Sequence, residues 1–118
     1  MTYRIIATDY DGTLAHDGRV DAPTLDALRE ARGSGIRLVM VTGRELPDLF
    51  GTFEHADLFD RIVAENGALL YDPGTQSLTW TGNTSTGAPA PAGSYVVRVT
   101  AVSSVGTIDL TAPFTLRR

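Results

Sequence analysis

The sequence predicts an α/β fold, a truncated Rossmann-like parallel sheet with flanking helices, followed by a short β-rich tail. Short apolar runs at residues 3–7 and 36–42 are typical of strands buried within a sheet. A segment with helical spacing lies between them, so these three elements form a βαβ unit. From residue 77 onward the helical period disappears, charges become rare, and Thr, Ser, Gly, Pro and Val dominate. The last observation predicts the tail.

Composition narrows the classes of function. The 118 residues suggest one domain by length alone, and 42% apolar with 20% charged residues suits a globular protein. The net charge of −4, without a basic block, argues against a nucleic-acid partner. No apolar segment approaches the ~20 residues that span a bilayer, so no membrane partner is expected, and no signal peptide is visible. The sequence contains no cysteine and no lysine.

The segment between the two runs carries the signals of one helix. Asp21 or Ala22 is suited to the cap position, and Pro23 is suited to the first turn. Apolar residues that would face the sheet recur at helical spacing at Leu25, Leu28 and Ala31. Gly33 or Gly35 can end the helix in the left-handed conformation.

The second run leads into further elements. Four consecutive apolar residues, 38–41, predict a strand buried on both faces. Residues 45–53 are expected to form a second helix, because Pro47 lies early enough to be tolerated. Residues 62–64 are expected to form a third short strand.

A pair of acids follows the first run, in the order Asp9-Tyr10-Asp11-Gly12-Thr13. A strand that ends in acids presents them at its carboxyl end, where open α/β sheets bind ligands. Gly12 allows a sharp turn, which must begin early if both carboxylates are to face one ligand. Such a pair can divide the chemistry, with one carboxylate as nucleophile and the other as proton carrier. The alternative is an acidic turn that caps the next helix.

This stretch resembles the opening motif of haloacid dehalogenase-like (HAD) phosphohydrolases, and the likeness covers about residues 3–76. The resemblance is greatest to the sugar-phosphatase-like branch. It implies that Asp9 is a nucleophile forming an aspartyl-phosphate and that Asp11 is the general acid and then the base. It also implies Mg²⁺ held by the Asp9 carboxylate and the Asp11 backbone carbonyl, a small phosphorylated metabolite such as a sugar phosphate as substrate, and a cytoplasmic location.

Two later motifs extend the resemblance. Thr42-Gly43-Arg44 directly follows the second apolar run, and a Thr hydroxyl and a glycine N–H can both donate to phosphate. In the family this position supplies the phosphate-binding hydroxyl, so the resemblance assigns Thr42, Gly43 and Arg44 to phosphate. Asn66, in the stretch 65–68, corresponds to a residue at the edge of the substrate site. A plain Asn-Gly turn explains the same residues equally well.

The tail has a resemblance of its own. Residues 95–102 alternate in the manner of a strand, residues 91–93 form a turn before it, and 107–110 and 114–117 are further strand candidates. Trp80-x-Gly82, followed by the stretch 87–95, resembles the later part of flagellar-hook-cap-type immunoglobulin-like modules. We therefore expect a partial HAD-like core over 1–76 and a partial immunoglobulin-like module over 77–118.

Both resemblances are incomplete, and this shapes the expected function. The family's later lysine is missing because the chain contains none, and Asp109, the last acid, does not match the family's acidic metal-binding motif. The first reading is a fragmentary phosphohydrolase with weak or no activity. The second is a chimeric or fragmentary chain whose sandwich-like tail serves adhesion or assembly without enzymatic activity. In either case residues 3–8 are expected to form an exposed strand edge, unless the tail covers it.

Overall fold

The computed structural model describes residues 4–117, with the side chains of 101–103 left undescribed. The strands are β1 (Ile5–Asp9), β2 (Arg37–Val41), β3 (Arg61–Ala64), β4 (Leu69–Asp72), β5 (Ser77–Trp80), β6 (Gly93–Ser103) and β7 (Gly106–Leu116). The helices are α1 (Ala22–Gly33) and α2 (Leu46–Thr52). Neither helix is long and apolar enough to cross a bilayer, within this described part of the chain.

The first five strands form one sheet in the order β1-β2-β3-β4-β5. β1, β2 and β3 are parallel, while β4 and β5 are added antiparallel. The three strands, the two helices and the βαβ unit expected from the sequence are all present. This arrangement confirms the α/β class, with a sheet whose first half is parallel.

Both helices cover the same face of this sheet. One apolar cluster joins Leu28 of α1 and Leu49 of α2 to Leu38, Met40 and Ile62, which are all at most 8% exposed. Each of the parallel strands β1, β2 and β3 lies beside the one before it, always toward the same edge of the sheet. Because both connections between them are right-handed crossovers, their helices must lie on the same face. The opposite face therefore has no helix among the described residues.

The bare face corrects the expectation that the second strand is buried on both faces. Leu38 and Met40 point at the helices and are completely buried, whereas Val41 is 44% exposed and Val39 is only half-buried. A continuous apolar run indicates a strand that can be covered on both sides. It does not specify that this part of the chain supplies the second cover.

β1 is an edge strand, as expected from the sequence. Its residues Ile5 and Ile6 are 58% and 38% exposed, and no described tail strand pairs with β1. Tyr3, which the sequence places in the same strand, lies outside the described residues. An unpaired apolar edge of this kind is a site for association with another strand.

The start of α1 agrees with one of the two predicted caps. Asp21 is the cap residue, its Oδ1 accepts a 2.9 Å hydrogen bond from the Thr24 N–H, and Pro23 lies in the first turn. Gly35, at a φ of +86°, takes the left-handed conformation just after the helix. Hydrogen bonds from the Thr24 side chain and backbone lower the pKa of Asp21.

The cap gives a stability prediction. We expect Asp21→Ala to lower the melting temperature by about 3 °C at pH 7, because an N–H of the first turn loses its acceptor. Since the folded pKa is lowered, the contribution of Asp21 is complete above its unfolded pKa of about 4 and is lost as the pH falls further. Thermal melts of wild type, Asp21→Ala and the cap-preserving Asp21→Asn test this. An equal loss in both variants at pH 7 would contradict it.

The β4–β5 hairpin was not predicted from the sequence. Asp72 ends β4, and its Oδ1 accepts hydrogen bonds from the N–H groups of Gly74 (2.9 Å) and Thr75 (3.4 Å), which folds the loop back. The returning strand begins at Ser77, so the sheet continues past residue 76. The division at residue 76 into two units stays a prediction.

The tail folds as one long hairpin, in which β6 pairs with β7 along eleven residues. The two short candidates at 107–110 and 114–117 are therefore one strand, which runs through Pro113. Trp80 contacts Tyr95 and Phe114 with ring centroids 5.7 and 5.6 Å apart, and this cluster attaches the hairpin to the sheet. After β5, which joins the five-stranded sheet, the described tail forms a single two-stranded sheet, so the second sheet of a sandwich is not shown.

Candidate functional site

The acidic turn begins immediately after β1. The backbone carbonyl of Tyr10 accepts hydrogen bonds from three consecutive N–H groups, those of Thr13, Leu14 and Ala15, at 3.4, 3.1 and 2.8 Å. Gly12 has a φ of +77°, a left-handed conformation that suits glycine. The chain therefore reverses within two residues of Asp9, as the paired-acid interpretation required.

Tyr10 anchors the turn in the core. Its side chain is fully buried, its hydroxyl donates a 2.7 Å hydrogen bond to the Gly18 carbonyl, and its ring packs against Phe53 at 5.5 Å. Burial is the main cause that raises the pKa of Tyr10. Asp9 and Asp11, on either side of it, are both exposed at the carboxyl edge of the sheet.

Asp11 is held by Arg44 through a two-pronged ion pair. The Nε and Nη2 atoms of Arg44 each lie 2.8 Å from one oxygen of the Asp11 carboxylate. These hydrogen bonds hold the pKa of Asp11 below its usual value and raise the pKa of Arg44. The Asp11 side chain is 51% exposed, so solvent screens much of the attraction and the pair contributes more to geometry than to stability.

Arg44 has further partners that fix its position. Its Nη1 donates to Asp48 at 2.9 Å and lies 3.5 Å from the Thr52 hydroxyl. Its guanidinium carbon lies 5.5 Å from the centroid of the Tyr10 ring. Arg44 thus connects the acidic turn to the first turn of α2, and its side chain is only 24% exposed.

The turn after β2 brings Thr42, Gly43 and Asn66 together. The Thr42 side chain is buried, and its hydroxyl accepts a 3.1 Å hydrogen bond from the Arg44 N–H, which leaves the hydroxyl proton able to donate. A Cβ on Gly43 would lie 2.9 Å from Asn66 Oδ1, so only glycine fits there without movement. The Asn66 N–H donates to the Thr42 carbonyl at 3.3 Å.

Asn66 is both a turn residue and a neighbour of the candidate phosphate loop. It takes the left-handed conformation, with a φ of 56°. Its Nδ2 donates a 2.7 Å hydrogen bond to the Ser85 carbonyl, which ties the tail to this edge. The two interpretations left open by the sequence are therefore compatible.

Asp9 is the last residue of β1 and is aligned with Val41, directly before Thr42. The two acids, the Thr-Gly-Arg turn and Asn66 thus all lie at the carboxyl ends of neighbouring strands. The Asp9 carboxylate makes no hydrogen bond within residues 4–117. This carboxylate therefore remains accessible to a ligand at this edge.

A model of the family described as haloacid dehalogenase-like hydrolase matches residues 6–84, more than half of the chain. This chain belongs to the haloacid dehalogenase-like hydrolases. The HAD assignment made from the acidic motif is thereby confirmed for the N-terminal part. The immunoglobulin-like character of the tail remains unsupported.

The curated HAD relatives are phosphatases. The chain is 38% identical over 74 residues to a phosphoglycolate phosphatase of Metallosphaera sedula, covering 60% of this chain and 33% of the relative. It is 37% identical over 71 residues to phosphatase YwpJ of Bacillus subtilis, covering 59% and 25%. An HMP-PP phosphatase of Yersinia pestis is 35% identical over 71 residues, covering 59% and 26%. The chain therefore spans a third or less of the length of these relatives.

Solved structures of the family support the fold. A haloacid dehalogenase-like hydrolase from B. subtilis superposes with a TM-score of 0.57 at 35% identity, covering 65% of this chain and 27% of that one. A HAD phosphatase from Bacteroides thetaiotaomicron gives a TM-score of 0.56 at 31% identity, covering 66% and 29%. Both cover about two thirds of this chain.

The residues present fit a sparsely held Mg²⁺ ion. The Asp9 carboxylate and the Asp11 carbonyl are oxygen donors of the kind Mg²⁺ prefers, and neither accepts a hydrogen bond within the described part of the chain. No cluster of three or more acidic, His or Cys side chains occurs among residues 4–117. Such an ion would keep most of its coordinated waters.

Sequence reasoning missed three residues of this site. Asp48 lies four residues after Arg44, in the first turn of α2, a spacing that could have revealed the pair. The burial of Tyr10 follows from the alternation of a strand end, which points it opposite to the acids. Ser85 carried no signal, because its contact with Asn66 depends on how the tail folds back.

Proposed function

We propose that this edge of the sheet hydrolyses phosphate monoesters, with Asp9 as nucleophile and Asp11 as proton carrier. A carboxylate oxygen of Asp9 attacks phosphorus, the ester P–O bond breaks, and Asp11 gives a proton to the departing oxygen. Water then hydrolyses the aspartyl-phosphate while Asp11 takes a proton back, which regenerates Asp9 and releases inorganic phosphate.

One observation carries this proposal: the Arg44 guanidinium clamps Asp11 at 2.8 Å through two of its nitrogens. It joins two motifs that lie 33 residues apart in the sequence into one site. A permanent cation with a planar fork is well suited to phosphate. The contact thus supports a phosphate-binding role for Arg44 beside the proposed proton carrier.

Substrate binding would change the partners of Arg44. Three of its nitrogens already donate to Asp11 and Asp48. Asp11 occupies the fork formed by Nε and Nη2, so a phosphate dianion that binds this fork would displace Asp11 from it. When the phosphate takes the fork, Arg44 no longer lowers the pKa of Asp11, and this change favours the protonated form that a general acid needs. Thr42 and the Gly43 N–H would bind the remaining phosphoryl oxygens.

Mg²⁺ is the proposed cofactor, held by the Asp9 carboxylate and the Asp11 carbonyl. When bound, it would reduce the repulsion between a carboxylate nucleophile and a phosphate dianion. The proposed substrate class is a small phosphorylated metabolite, because the phosphoglycolate phosphatase and HMP-PP phosphatase relatives act on such molecules by their names. Sugar phosphates are the finer proposal, and Asn66 would face the edge of the substrate.

We further propose that turnover by this chain is slow. The sequence contains no lysine to share the phosphate charge, and residues 4–117 contain no third metal-binding acid near Asp9 and Asp11. Removing one preorganised charge-stabilising group typically costs about 10²–10³ in rate. The remaining cation of the site is Arg44. The competing proposal is an assembly role of the tail with no enzymatic activity.

A phosphate-release assay separates the two proposals. We expect slow release from small phosphomonoesters by the full chain, stimulated by Mg²⁺ and abolished by chelation. Asp9→Asn removes the nucleophile at nearly constant shape and should reduce release to background. The exposed Asp26→Asn, which lies on α1 away from the site, is the matched control and should keep wild-type release. Release that is equal in wild type and Asp9→Asn would reject the enzymatic proposal.

A further inference from the structure

A cleft of about 700 Å³ lies between the tail hairpin and the end of the five-stranded sheet. Leu69, Leu78 and Trp80 line one wall, and Tyr95 and Phe114 lie at the aromatic cluster where the hairpin is attached. The cleft is separate from the acidic turn and adjoins the candidate site at Glu65 and Ser85, which are the chain neighbour and the hydrogen-bond partner of Asn66. The proposed hydrolysis uses neither residue.

The other wall is the outer edge of β6. Five consecutive residues of β6, 95–99, line the cleft. Successive side chains of a strand point to opposite faces, so a space lined by five residues in a row also contacts main-chain atoms of the strand. The cleft therefore exposes the backbone of β6 as well as its side chains.

The register of the hairpin shows which backbone groups face the cleft. Pro113 has no N–H, so its pair with Val96 cannot be one of the pairs that exchange two hydrogen bonds. Every second pair along the hairpin likewise lacks hydrogen bonds between its two residues, and these pairs include Arg98 with Thr111. The N–H and C=O groups of Val96 and Arg98 therefore point away from β7 and into the cleft.

The facing wall is one face of the five-stranded sheet. Leu69 pairs with Trp80, and Leu78 lies two residues before Trp80, so the three side chains point to the same side of β4 and β5. Leu78 is 56% exposed, so this wall offers an apolar surface to a ligand side chain.

The two edges of the hairpin differ in their ability to accept a strand. Pro113 removes one donor from the outer edge of β7, a common way to block strand addition. The outer edge of β6 has no such block between residues 93 and 103. Strand addition would therefore take place at β6.

The charges in the cleft define the peptide that fits. Arg98 is neutralised by Asp109 at 3.0 Å, whereas Glu65, the other charged residue of the lining, has no ion pair within the described part of the chain. A ligand with a cationic side chain at the Glu65 end would complement this carboxylate. Five edge residues span about 17 Å, the length of a five-residue extended segment.

We infer that the cleft binds an extended peptide by strand addition to β6, one with apolar residues at alternate positions and a lysine or arginine facing Glu65. Main-chain hydrogen bonds to Val96 and Arg98 would fix its register. Its apolar side chains would pack on Leu78 and Trp80. The partner is thus a protein with a Val- or Ile-rich strand-forming segment.

A fluorescein-labelled octapeptide of alternating valine and threonine, with a lysine at one end, is the probe. We expect saturable binding by anisotropy, and a shift of the indole N–H resonance of Trp80, the single tryptophan of the chain. The same residues in scrambled order should bind about tenfold more weakly or not at all, because the apolar groups no longer share one face. Equal binding of both peptides, or none, would overturn the inference.

Matched proline variants test the direction of pairing. Val96→Pro removes a donor at the cleft and should weaken binding about tenfold, whereas Thr111→Pro removes the equivalent donor on the outer edge of β7 and should bind as wild type. Circular dichroism checks that both hairpins remain folded. Equal binding by the two variants would contradict the inference.

Two further measurements do not depend on folding of a proline variant. In an extended peptide, alternate N–H groups point to opposite edges, so N-methylation of every second amide removes the donors of one edge only. Methylation of the amides that face β6 should abolish binding to wild type. Methylation of the amides that face away from β6 should preserve it. Glu65→Gln should weaken the lysine-ended peptide and leave an uncharged version unchanged. Indifference to both registers of methylation would overturn strand addition.

Discussion

Met40→Asp is expected to cost about 4 kcal/mol or more of unfolding free energy, whereas Val41→Asp should cost less than about 1 kcal/mol. Met40 is fully buried between the sheet and the two helices, with no cation beside it in the apolar cluster. Val41 is its neighbour on the same strand, but it is 44% exposed on the bare face. A carboxylate introduced at residue 41 would stay hydrated, whereas one introduced at residue 40 would lose its hydration in the core.

Denaturant unfolding monitored by circular dichroism measures both variants, and Met40→Leu serves as the size-matched apolar control. A small core has little stability to lose, so Met40→Asp should be largely unfolded without denaturant. If Val41→Asp were as damaging as Met40→Asp, a cover for the bare face would have to exist in solution. That result would restore the two-faced burial that the apolar run alone suggested.

The order of the elements was readable because each carries a local signal. Periodicity located α1, β2 and β3, and the cap at Asp21 follows from side-chain chemistry. Two features were not readable. The β4–β5 hairpin lies across the change in composition near residue 76, and the exposure of Val41 depends on what is absent from one face of the sheet.

The candidate site likewise has features that the sequence could predict and features that it could not. Asp9, Asp11, Thr42 and Arg44 were singled out by their motifs and the family resemblance, and they lie together because strand ends in a parallel sheet meet at one edge. That Arg44 clamps Asp11 could not be derived, since a long flexible side chain has several carboxylates within reach and only packing selects among them. The roles given to these residues in catalysis stay predictions.

Arg44→Ala is expected to lower kcat/KM for phosphomonoesters by about 10²–10³. Arg44 is the cation that the structure places at the acidic turn, and the sequence has no lysine to replace it. Arg44→Lys should recover only a small part of the activity, because an ammonium cannot form the two parallel hydrogen bonds of a fork. Steady-state phosphate release, with Mg²⁺ held saturating, measures these effects.

The controls distinguish phosphate binding from a merely structural role of the arginine. Asp48→Asn breaks the contact that steadies Arg44 at 2.9 Å but leaves the fork on Asp11, so its loss should be about tenfold or less. Inhibition by inorganic phosphate should weaken in Arg44→Ala and persist in Asp48→Asn. If Arg44→Ala instead kept full turnover and phosphate inhibition, the fork would serve only to hold the acidic turn. Charge neutralisation would then have to come from Mg²⁺ and the backbone N–H groups alone.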